Sequence, residues 1–328
     1  MKKINLVIPK GSLEDATIKM LEEAGYTISG RSRTYRPRIN DTKIRLKLLR
    51  PQEIPLFVAE GLHDLGITGL DWILESGADV DTLSDLEYGR VRMVVCVPKS
   101  WNDINSFSDL LENFLSKRKI LRISTEYLNS AVKMVKINPV YKKYCGDKDP
   151  IIITPWWRVG NNPNVNIFLS FGATEAKPDE DADAIIDITE TGTTLEQNNL
   201  KPIGEIMVST AQLIVNKESL KDIEKREKIY DVLSVLKGVV EGRKKLHIFL
   251  NVKEEKLPLL LEALPSLKGP TISDLSIPGW KAIDTIIEKN TFLELLPILR
   301  KYGQGLVVHE PRQILPLEKI KEEEEAVQ

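Results

Sequence analysis

The sequence predicts an α/β protein whose C-terminal part is a separate ferredoxin-like (βαββαβ) domain. From the first residues onward, segments typical of buried strands alternate with segments typical of helices, which is the pattern of an α/β fold. After about residue 245 the order changes to strand, helix, strand, strand, helix and strand, the order of the ferredoxin-like unit. The chain has 328 residues, enough for two or three domains.

The first hundred residues contain strands and helices in turn. The apolar run INLVIP (4–9) predicts a buried strand, and SLEDATIKMLEEAG (12–25) predicts a helix that ends at a glycine. TKIRLKLLR (42–50) alternates charged and apolar residues, which indicates a half-buried strand. Four more elements follow: helices at IPLFVAEG (54–61) and LDWILESG (70–77), and strands at DLGITG (64–69) and RVRMVVCVP (90–98).

The middle of the chain is less regular. KILRIST (119–125), DADAIIDIT (181–189) and MVSTAQLIVN (207–216) each predict one strand. Residues 138–165 are rich in loop-forming residues and give no clear element, whereas residues 218–245 predict one long charged helix. The C-terminal unit consists of predicted strands at 246–252, 271–276, 281–288 and 304–311 and helices at 254–265 and 291–303.

Composition excludes several classes of protein. The formal net charge of −2 gives no basic field for a nucleic-acid partner. Two cysteines and three dispersed histidines predict neither a disulfide scaffold nor a structural metal site. No window reaches the roughly 18 apolar residues of a membrane helix, and the first residues do not resemble a signal peptide, so we expect a cytoplasmic protein with no membrane partner.

The segment DAIIDITETGTTLEQN (183–198) predicts a phosphate-binding corner. A strand delivers Asp187 at its carboxyl end, where open α/β sheets bind ligands. Gly192 lets the backbone approach an anion, and Thr193 with Glu196 has the spacing of a capping box for a new helix. A carboxylate before a phosphate cradle suits a ribose 5-phosphate, although an ordinary strand–turn–helix corner would carry the same residues.

Two basic residues follow strands in the first half of the chain. Lys10 lies between the first strand and the first helix, and Arg50 stands at a strand end before a helix. Lysine neutralises phosphate as a point charge, and arginine binds it through two parallel hydrogen bonds. An exposed turn lysine and a surface salt bridge are the alternative interpretations of these two residues.

Together these corners resemble one family, the long form of ATP phosphoribosyltransferase, the first enzyme of histidine biosynthesis. The resemblance covers nearly the whole chain in order and fades only between about 138 and 168. It rests on these stretches: IPKGSL, LLRPQEIPLFVAEGLHDLGITGLDW, EYGRVRMVVCVP, RISTEYLNSAVK, FGATEA, DADAIIDITETGTTLEQNNL, LKGVVEGR, ALPSLKGPTISDL and GQGLVV.

The resemblance implies a fold and a division into domains. The catalytic part would consist of two α/β lobes similar to periplasmic binding proteins, with the site in the cleft between them. Lobe I would take residues 1–98 and 216–244, and lobe II, with the phosphoribosyl pyrophosphate loop, residues 99–215. Residues 245–328 would form the regulatory, histidine-binding domain.

The resemblance also implies a reaction and its ligands. N1 of the adenine of ATP would attack the anomeric carbon of phosphoribosyl pyrophosphate, Mg²⁺ would screen the departing pyrophosphate, and the product would be phosphoribosyl-ATP. L-Histidine would inhibit as feedback effector, and homodimers would assemble into hexamers. The residues agree with this chemistry, since no covalent nucleophile is legible and positioning with charge stabilisation suffices.

Residue roles follow from the matched motifs. Asp187 would hold the ribose hydroxyls, and Lys10, Arg50 and Arg92 would face the pyrophosphate or triphosphate. The ribose 5-phosphate would be wrapped by Glu190, Thr191, Gly192, Thr193 and Thr194. The ATP side would be lined by Asp71, Thr125, Tyr127 and Glu175. The effector region would include Thr271, Gly303 and Leu306.

Some residues depart from the family pattern. Ser12 stands where the family often has arginine, and the turn at Gly303–Leu306 is shortened. The segment with Trp156 and Trp157 has no counterpart that we can interpret. These departures leave open an alternative, a cytoplasmic two-lobed small-ligand binding or regulatory protein without catalysis.

Overall fold

The computed structural model describes residues 2–31, 34–264 and 269–315, and its elements follow in chain order. The first stretch contains β1 (Ile4–Pro9), α1 (Glu14–Glu23), β2 (Ile28–Ser29), β3 (Arg38–Ile39), β4 (Ile44–Leu49), α2 (Ile54–Ala59), β5 (Leu65–Gly69), α3 (Leu70–Ser76) and β6 (Asp81–Asp85). The second contains β7 (Val91–Pro98), α4 (Phe107–Leu115), β8 (Leu121–Thr125), α5 (Leu128–Ile137), α6 (Pro139–Cys145), β9 (Pro150–Ile153), β10 (Arg158–Val159), β11 (Asn162–Leu169), β12 (Ala184–Thr189), α7 (Thr193–Gln197) and β13 (Leu200–Ser209). The third contains β14 (Ala211–Val215), α8 (Lys217–Lys221), α9 (Ile223–Arg243), β15 (Lys245–Lys253), α10 (Leu257–Ala263), β16 (Thr271–Asp274), β17 (Trp280–Glu288), α11 (Phe292–Tyr302) and β18 (Gly303–His309).

Two α/β lobes form the greater part of the molecule, as predicted. The first is a five-stranded sheet in the order β4-β1-β5-β14-β6, and the second a seven-stranded sheet in the order β10-β9-β11-β8-β12-β7-β13. The chain passes between the lobes twice, from β6 to β7 and back from β13 to β14. Two lobes joined by two crossings are the arrangement of periplasmic binding proteins.

The C-terminal domain confirms the predicted ferredoxin-like unit. Its strands lie in the order β16-β17-β15-β18, and β15 pairs antiparallel with both β17 and β18. Alternate residues of β15 are buried, among them Ile248, Leu250 and Val252, because one face of the sheet packs on the two helices. The other face carries polar and charged side chains such as His247, whose ring pairs with Asp284.

By density of contacts the chain divides into two compact units. One comprises Asn5–Glu14 and Lys47–Ser219 and holds the seven-stranded sheet with most of the five-stranded one. The other comprises Met1–Ile4, Asp15–Leu46 and Leu220–Gln328 and includes the four-stranded sheet. None of the helices within the described ranges is both long enough and apolar enough to cross a lipid bilayer.

The predicted lobe boundary after residue 98 is wrong. β7 pairs with β12 and β13 in the second sheet, so the chain leaves the first lobe before Val91. The predicted single strand at 207–216 is two strands in different sheets, β13 and β14, with Thr210 between them. The first lobe therefore resumes at Ala211 rather than at residue 216, and residues from Leu220 onward group with the C-terminal unit.

Two other predicted elements differ from the structure. The long helix at 218–245 is divided at Asp222, which has extended backbone and accepts a hydrogen bond from Lys225 N as N-cap of α9. The loop-rich stretch 138–165 contains a helix and three strands. One reason is that Asn138 caps α6 by accepting a hydrogen bond from Val140 N, just before a proline at the first helical position.

Candidate active site

Asp187 lies at the carboxyl end of β12, where the sequence predicts it. In the antiparallel register with β7, Asp187 is opposite Val94 and Thr189 is opposite Arg92. Directly opposed residues share a face of the sheet. Asp187, Thr189 and Arg92 therefore lie on one face, which is the face that α7 covers through Leu195.

The loop after β12 turns sharply at Gly192. Its φ of +86° lies in the left-handed region, where a β-carbon would be strained. Gly192 N donates to the Thr189 hydroxyl at 2.9 Å, and the hydroxyls of Thr191 and Thr193 are 2.9 Å apart. The residue that caps α7 is Gly192, without a side-chain hydrogen bond, so the predicted capping box of Thr193 with Glu196 is wrong.

An open pocket of about 320 Å³ is formed by this corner. Carboxylates and hydroxyls dominate its lining: Glu175, Asp187, Ile188, Thr189, Glu190, Thr191, Thr194 and Leu195. Of the residues predicted to hold a ribose 5-phosphate, Gly192 and Thr193 complete the loop without lining the pocket. Glu175, brought there by the turn after β11, lines the same pocket as Asp187, and its predicted contact with ATP stays a prediction.

The environment of Asp187 disfavours its charge. Burial raises the pKa of this carboxyl to about 6, and the nearby charges of Glu175 and Glu126 act in the same direction. Hydrogen bonds from Ile188 N, at 2.7 Å, and from the Thr174 hydroxyl oppose the rise. A ligand that donates hydrogen bonds or brings positive charge would therefore be favoured beside Asp187.

Lys10 and Arg50 are brought together in the first lobe. Lys10 N donates to Leu49 O at 2.7 Å, which ties the loop after β1 to the end of β4. Gly11 has a φ of +115°, and a β-carbon there would lie 3.4 Å from Arg50 Nη1. The guanidinium thus lies against the glycine turn, and the Lys10 ammonium is 3.7 Å from Glu14.

Arg92 is half-buried and belongs to the sheet of the second lobe, not to that of the Lys10–Arg50 pair. Its guanidinium is 3.7 Å from the Glu205 carboxylate on the neighbouring strand β13. Because Arg92 is in register with Thr189, it belongs to the Asp187 face of the second lobe rather than to the Lys10–Arg50 pair of the first.

Asp71, Thr125 and Tyr127 are buried and hydrogen-bonded within the protein. The Tyr127 hydroxyl donates to Asp71 Oδ2 at 2.9 Å, and the Ser209 hydroxyl donates to Asp71 Oδ1. Tyr127 N donates to the Thr125 hydroxyl, and the Tyr127 ring stacks on Trp72 at 4.5 Å between centroids. The hydrogen bonds of Asp71 and Tyr127 thus link the two lobes. Contact of Asp71, Thr125 and Tyr127 with ATP stays a prediction.

Several residues of the site could not be found from sequence alone. Ser209 looks like an ordinary strand residue until the crossing between the sheets places it on Asp71. Gln52 Nε2 donates to Glu126 Oε2 at 3.4 Å and so links the lobes, from positions 74 residues apart. The contact between the exposed rings of Trp156 and Phe171 was not predictable either, since the sequence showed only that the segment with Trp156 and Trp157 has no family counterpart.

The residues of the pocket could bind Mg²⁺ only if substrate phosphates supplied further ligands. Within the described ranges, no group of three or more histidine, cysteine, aspartate or glutamate side chains could hold a metal. Mg²⁺ characteristically keeps several waters and takes one or two carboxylates together with substrate phosphates. Glu175 and Asp187, which line one pocket and repel each other, fit such a cation.

The predicted effector residues do not meet within one chain. Thr271 begins β16 at one edge of the four-stranded sheet, whereas Gly303 and Leu306 lie in β18 at the opposite edge. Three strand spacings of about 4.8 Å separate the two edges by roughly 14 Å. The predicted turn at Gly303–Leu306 is the start of β18, and Gly303 is required there because a β-carbon would lie 2.8 Å from Leu299 O.

Comparison with known proteins matches nearly the whole chain. A family model described as ATP phosphoribosyltransferase matches residues 50–238, and one described as the HisG C-terminal domain matches residues 242–310. An ATP phosphoribosyltransferase of Pelotomaculum thermopropionicum is 37% identical over 314 residues, 94% of this chain and 98% of the relative. One from Chlorobaculum parvum is 35% identical over 318 residues, 95% of this chain and 97% of the relative.

A solved structure is also similar. It is described as an ATP phosphoribosyl transferase (HisG:HisZ) complex from Thermotoga maritima and shares 27% identity with this chain at a TM-score of 0.53. The likeness covers 73% of this chain and 98% of the solved one.

Proposed function

The chain belongs to the ATP phosphoribosyltransferase family of histidine biosynthesis, in its long form, and from this premise we propose the reaction, its site and its control. N1 of the adenine of ATP attacks the anomeric carbon of phosphoribosyl pyrophosphate. The bond from that carbon to pyrophosphate breaks, and phosphoribosyl-ATP and pyrophosphate result. A cytoplasmic location belongs to the same proposal, because the reaction consumes ATP. The observation that carries the proposal is the pocket that joins Asp187 to the Thr-Gly-Thr-Thr loop.

In this proposal the second lobe holds the ribose phosphate. Asp187 accepts hydrogen bonds from the ribose hydroxyls, since an ionised carboxylate has only acceptors. The 5-phosphate lies in the loop Glu190–Thr194, of which Glu190, Thr191 and Thr194 line the pocket, and the left-handed Gly192 lets the backbone of the loop turn toward it. Glu175 lines the same pocket.

The chemistry requires positioning and charge rather than a strong base. Adenine N1 carries its lone pair already, so no proton has to be removed before attack. Lys10, Arg50 and Arg92 stabilise the pyrophosphate as it leaves or hold the triphosphate, as preorganised cations do for developing negative charge. Asp187 and Glu175 are the residues of the pocket that would hold Mg²⁺ together with substrate phosphates, and the cation would supply neutralisation of part of that charge.

Control by L-histidine is assigned to the C-terminal domain. The support is a separate core beneath its own four-stranded sheet and the match of residues 242–310 to the family's C-terminal domain. Since Thr271 and Gly303 occupy opposite edges, a histidine site that used both would draw them from two copies of the chain. This agrees with the proposed assembly of homodimers into hexamers.

A turnover assay tests the proposal. The full chain is mixed with ATP, phosphoribosyl pyrophosphate, Mg²⁺ and a pyrophosphatase, and phosphoribosyl-ATP is followed with and without L-histidine. We expect product that histidine suppresses, and loss of turnover in Asp187→Ala and Thr193→Ala. Glu196→Gln, on the exposed side of α7, is the matched control and should remain active. Unchanged turnover in both site variants would show that the assigned site is wrong.

Product that histidine fails to suppress would leave the reaction standing and contradict the proposed control. Absence of product from folded protein would contradict the reaction itself. The alternative hypothesis of a non-catalytic binding protein has no observation in its favour once the family is known.

A further inference from the structure

Two large aromatic side chains are exposed beside the candidate active site. Trp156 is 72% exposed and Phe171 is 68% exposed, and their rings meet edge to face with centroids 5.8 Å apart. Large aromatic rings are the side chains that gain most from burial. A pair held together in water is therefore a candidate for contact with a ligand or a partner.

The pair stands on the same rim of the sheet as the Asp187 pocket. Strands β9, β11, β8 and β12 are parallel neighbours, so their carboxyl ends meet at one edge. Trp156 lies in the loop after β9, and Phe171 lies in the loop after β11. Because β11 and β12 are two strand spacings apart, Phe171 is roughly 10 Å along the rim from the strand of Asp187.

The loop that carries Phe171 also reaches the pocket. Gly172 follows it, and a β-carbon on Gly172 would lie 4.0 Å from Glu126 Oε1. Three residues further on, Glu175 lines the pocket with Asp187. The aromatic pair and the carboxylates thus border one continuous surface.

The Trp156 loop is held in shape by its own hydrogen bonds. The Thr154 hydroxyl accepts from Trp156 N at 3.3 Å and from Trp157 N at 3.0 Å, and Thr154 N donates to Trp157 O at 3.0 Å. At the far end, Gly160 packs so closely that a β-carbon would lie 2.8 Å from Ile151 Cα. A ring presented from such a turn loses little conformational freedom when a ligand stacks on it.

We propose that Trp156 and Phe171 form the platform for the adenine ring of ATP, which stacks on one ring and meets the other edge to face, because the two ring planes are nearly perpendicular. The inference rests on the proposed function, because it takes ATP as the nucleophile. A base on this rim lies on the same sheet edge as the ribose that we place at Asp187. Stacking suits this ligand because adenine is flat and needs no hydrogen-bond partner from the rings. A second copy of the chain is the competing occupant, but a stable interface buries about 800 Å² per partner, far more than two rings.

The test compares the Michaelis constants for the two substrates. We expect Trp156→Ala and Phe171→Ala each to raise KM for ATP by about 5- to 100-fold, the loss typical of one base–aromatic stack. The KM for phosphoribosyl pyrophosphate should stay unchanged, since that substrate binds at the other end of the rim. Trp156→Phe and Phe171→Tyr keep a ring and should restore most of the affinity for ATP.

Trp157→Ala is the matched control. It removes a neighbouring exposed ring from the same turn, which is not the ring that pairs with Phe171, and KM for ATP should not change. Melting temperatures of all variants should equal that of the parent chain, which separates loss of stacking from loss of folding.

The outcomes separate this inference from the proposed function. If the parent chain makes phosphoribosyl-ATP and the two alanine variants keep its KM for ATP, the platform is wrong and the function stands. If both Michaelis constants rise together, or if sedimentation shows dissociation while KM for ATP is unchanged, the pair is structural or an interface and the inference is overturned. If the parent chain makes no product, the proposed function itself fails.

Discussion

Ionisation of the Asp187 carboxyl at neutral pH lowers the free energy of unfolding. Its pKa rises from 3.8 to about 6, so the folded state keeps its proton over a range in which the unfolded chain has lost it. The stability that this proton provides is complete at low pH and is lost as pH rises from about 4 to about 6. At 1.36 kcal/mol for each pKa unit, the difference is about 3 kcal/mol.

We therefore expect Asp187→Asn to lose most of its turnover and to be more stable. The amide keeps an acceptor for Ile188 N but never acquires the charge, so the free energy of unfolding at pH 7.5 should rise by up to about 3 kcal/mol. Urea denaturation measures the change. Glu190→Gln, an exposed carboxylate of the same loop, should shift it by less than about 0.5 kcal/mol. A less stable Asp187→Asn variant would contradict the assigned cause of the pKa rise.

The same ionisation predicts a pH profile. Protonated Asp187 has a donor where the ribose hydroxyls require acceptors, so kcat/KM for phosphoribosyl pyrophosphate should fall about tenfold per pH unit below pH 6. Stopped assays between pH 4.5 and 8 give the profile. The residual kcat/KM of Asp187→Asn should not change with pH below pH 6. If the acidic fall in kcat/KM persists in this variant, another group is responsible for it.

For single residues, the sequence predicts the place within a strand or helix better than it predicts which other residues lie nearby. Asp187 was found because a carboxylate at a strand end before a Thr-Gly cluster has a local signature. The hydrogen bond of Asp71 with Tyr127 has none, since the two residues are 56 positions apart and meet only through the fold. The place of Glu175 beside the end of β12 likewise depends on the fold, and its assignment to the ATP side, which the family resemblance implies, stays a prediction.

Among the elements, α5 has its N-terminus capped by a residue of another helix. Tyr127, its N-cap residue, makes no side-chain cap hydrogen bond. Glu75 of α3 supplies the acceptors, at 2.7 Å from Asn129 N and 2.9 Å from Ser130 N. Burial raises the pKa of Glu75, and the hydrogen bonds of the cap oppose this rise.

We expect Glu75→Ala to lower the free energy of unfolding by about 2–4 kcal/mol, because it leaves the first N–H groups of α5 without acceptors. Glu75→Gln keeps one acceptor and avoids a buried charge, so its loss should be smaller, about 1 kcal/mol. Urea denaturation gives both values. Leu74→Ala, an exposed position on the same helix, is the control, and equal losses in all three variants would contradict the cap.

The elements that could not be predicted from the sequence begin and end without a clear local signal. Residues 207–216 read as one strand because Ser209 and Thr210 interrupt the apolar pattern without a glycine or a proline. The division of the long helix at Asp222 was equally hidden, since aspartate is common within charged helices. In 138–165 many polar and turn residues concealed strands that are only two to eight residues long.

For the whole molecule, the order of elements was predictable and the crossings between lobes were not. Alternation of strands and helices identifies an α/β fold, but it does not assign β7 to the first or the second sheet. That choice is made by pairing with β12 and β13, which lie about 90 residues or more further along the chain. Separation of Thr271 from Gly303 at opposite sheet edges is likewise a property of pairing order and not of either motif.

The link among Asp71, Tyr127 and Ser209 sets how the two lobes face each other within their compact unit. Asp71 belongs to a helix of the first lobe, Tyr127 to the second, and Ser209 to the strand that crosses between them. Lys10 and Arg50 stand on the first lobe and Asp187 on the second, so the in-line attack that we propose would depend on this alignment. A misplacement of about 1 Å at a reacting centre lowers rates about a hundredfold.

Tyr127→Phe removes the hydroxyl and keeps the ring stacked on Trp72. We expect a loss of about 1–3 kcal/mol in the free energy of unfolding, because Asp71 Oδ2 becomes a buried acceptor without its donor. We also expect kcat to fall at least about tenfold, while KM for phosphoribosyl pyrophosphate, bound by the second lobe, stays the same. Tyr141→Phe is a matched control, since that buried hydroxyl donates to Lys148 O and accepts from Asn162 within the second lobe alone. It should cost similar stability and leave kcat unchanged. Equal effects of the two variants on kcat would show that stability, and not alignment of the lobes, governs turnover.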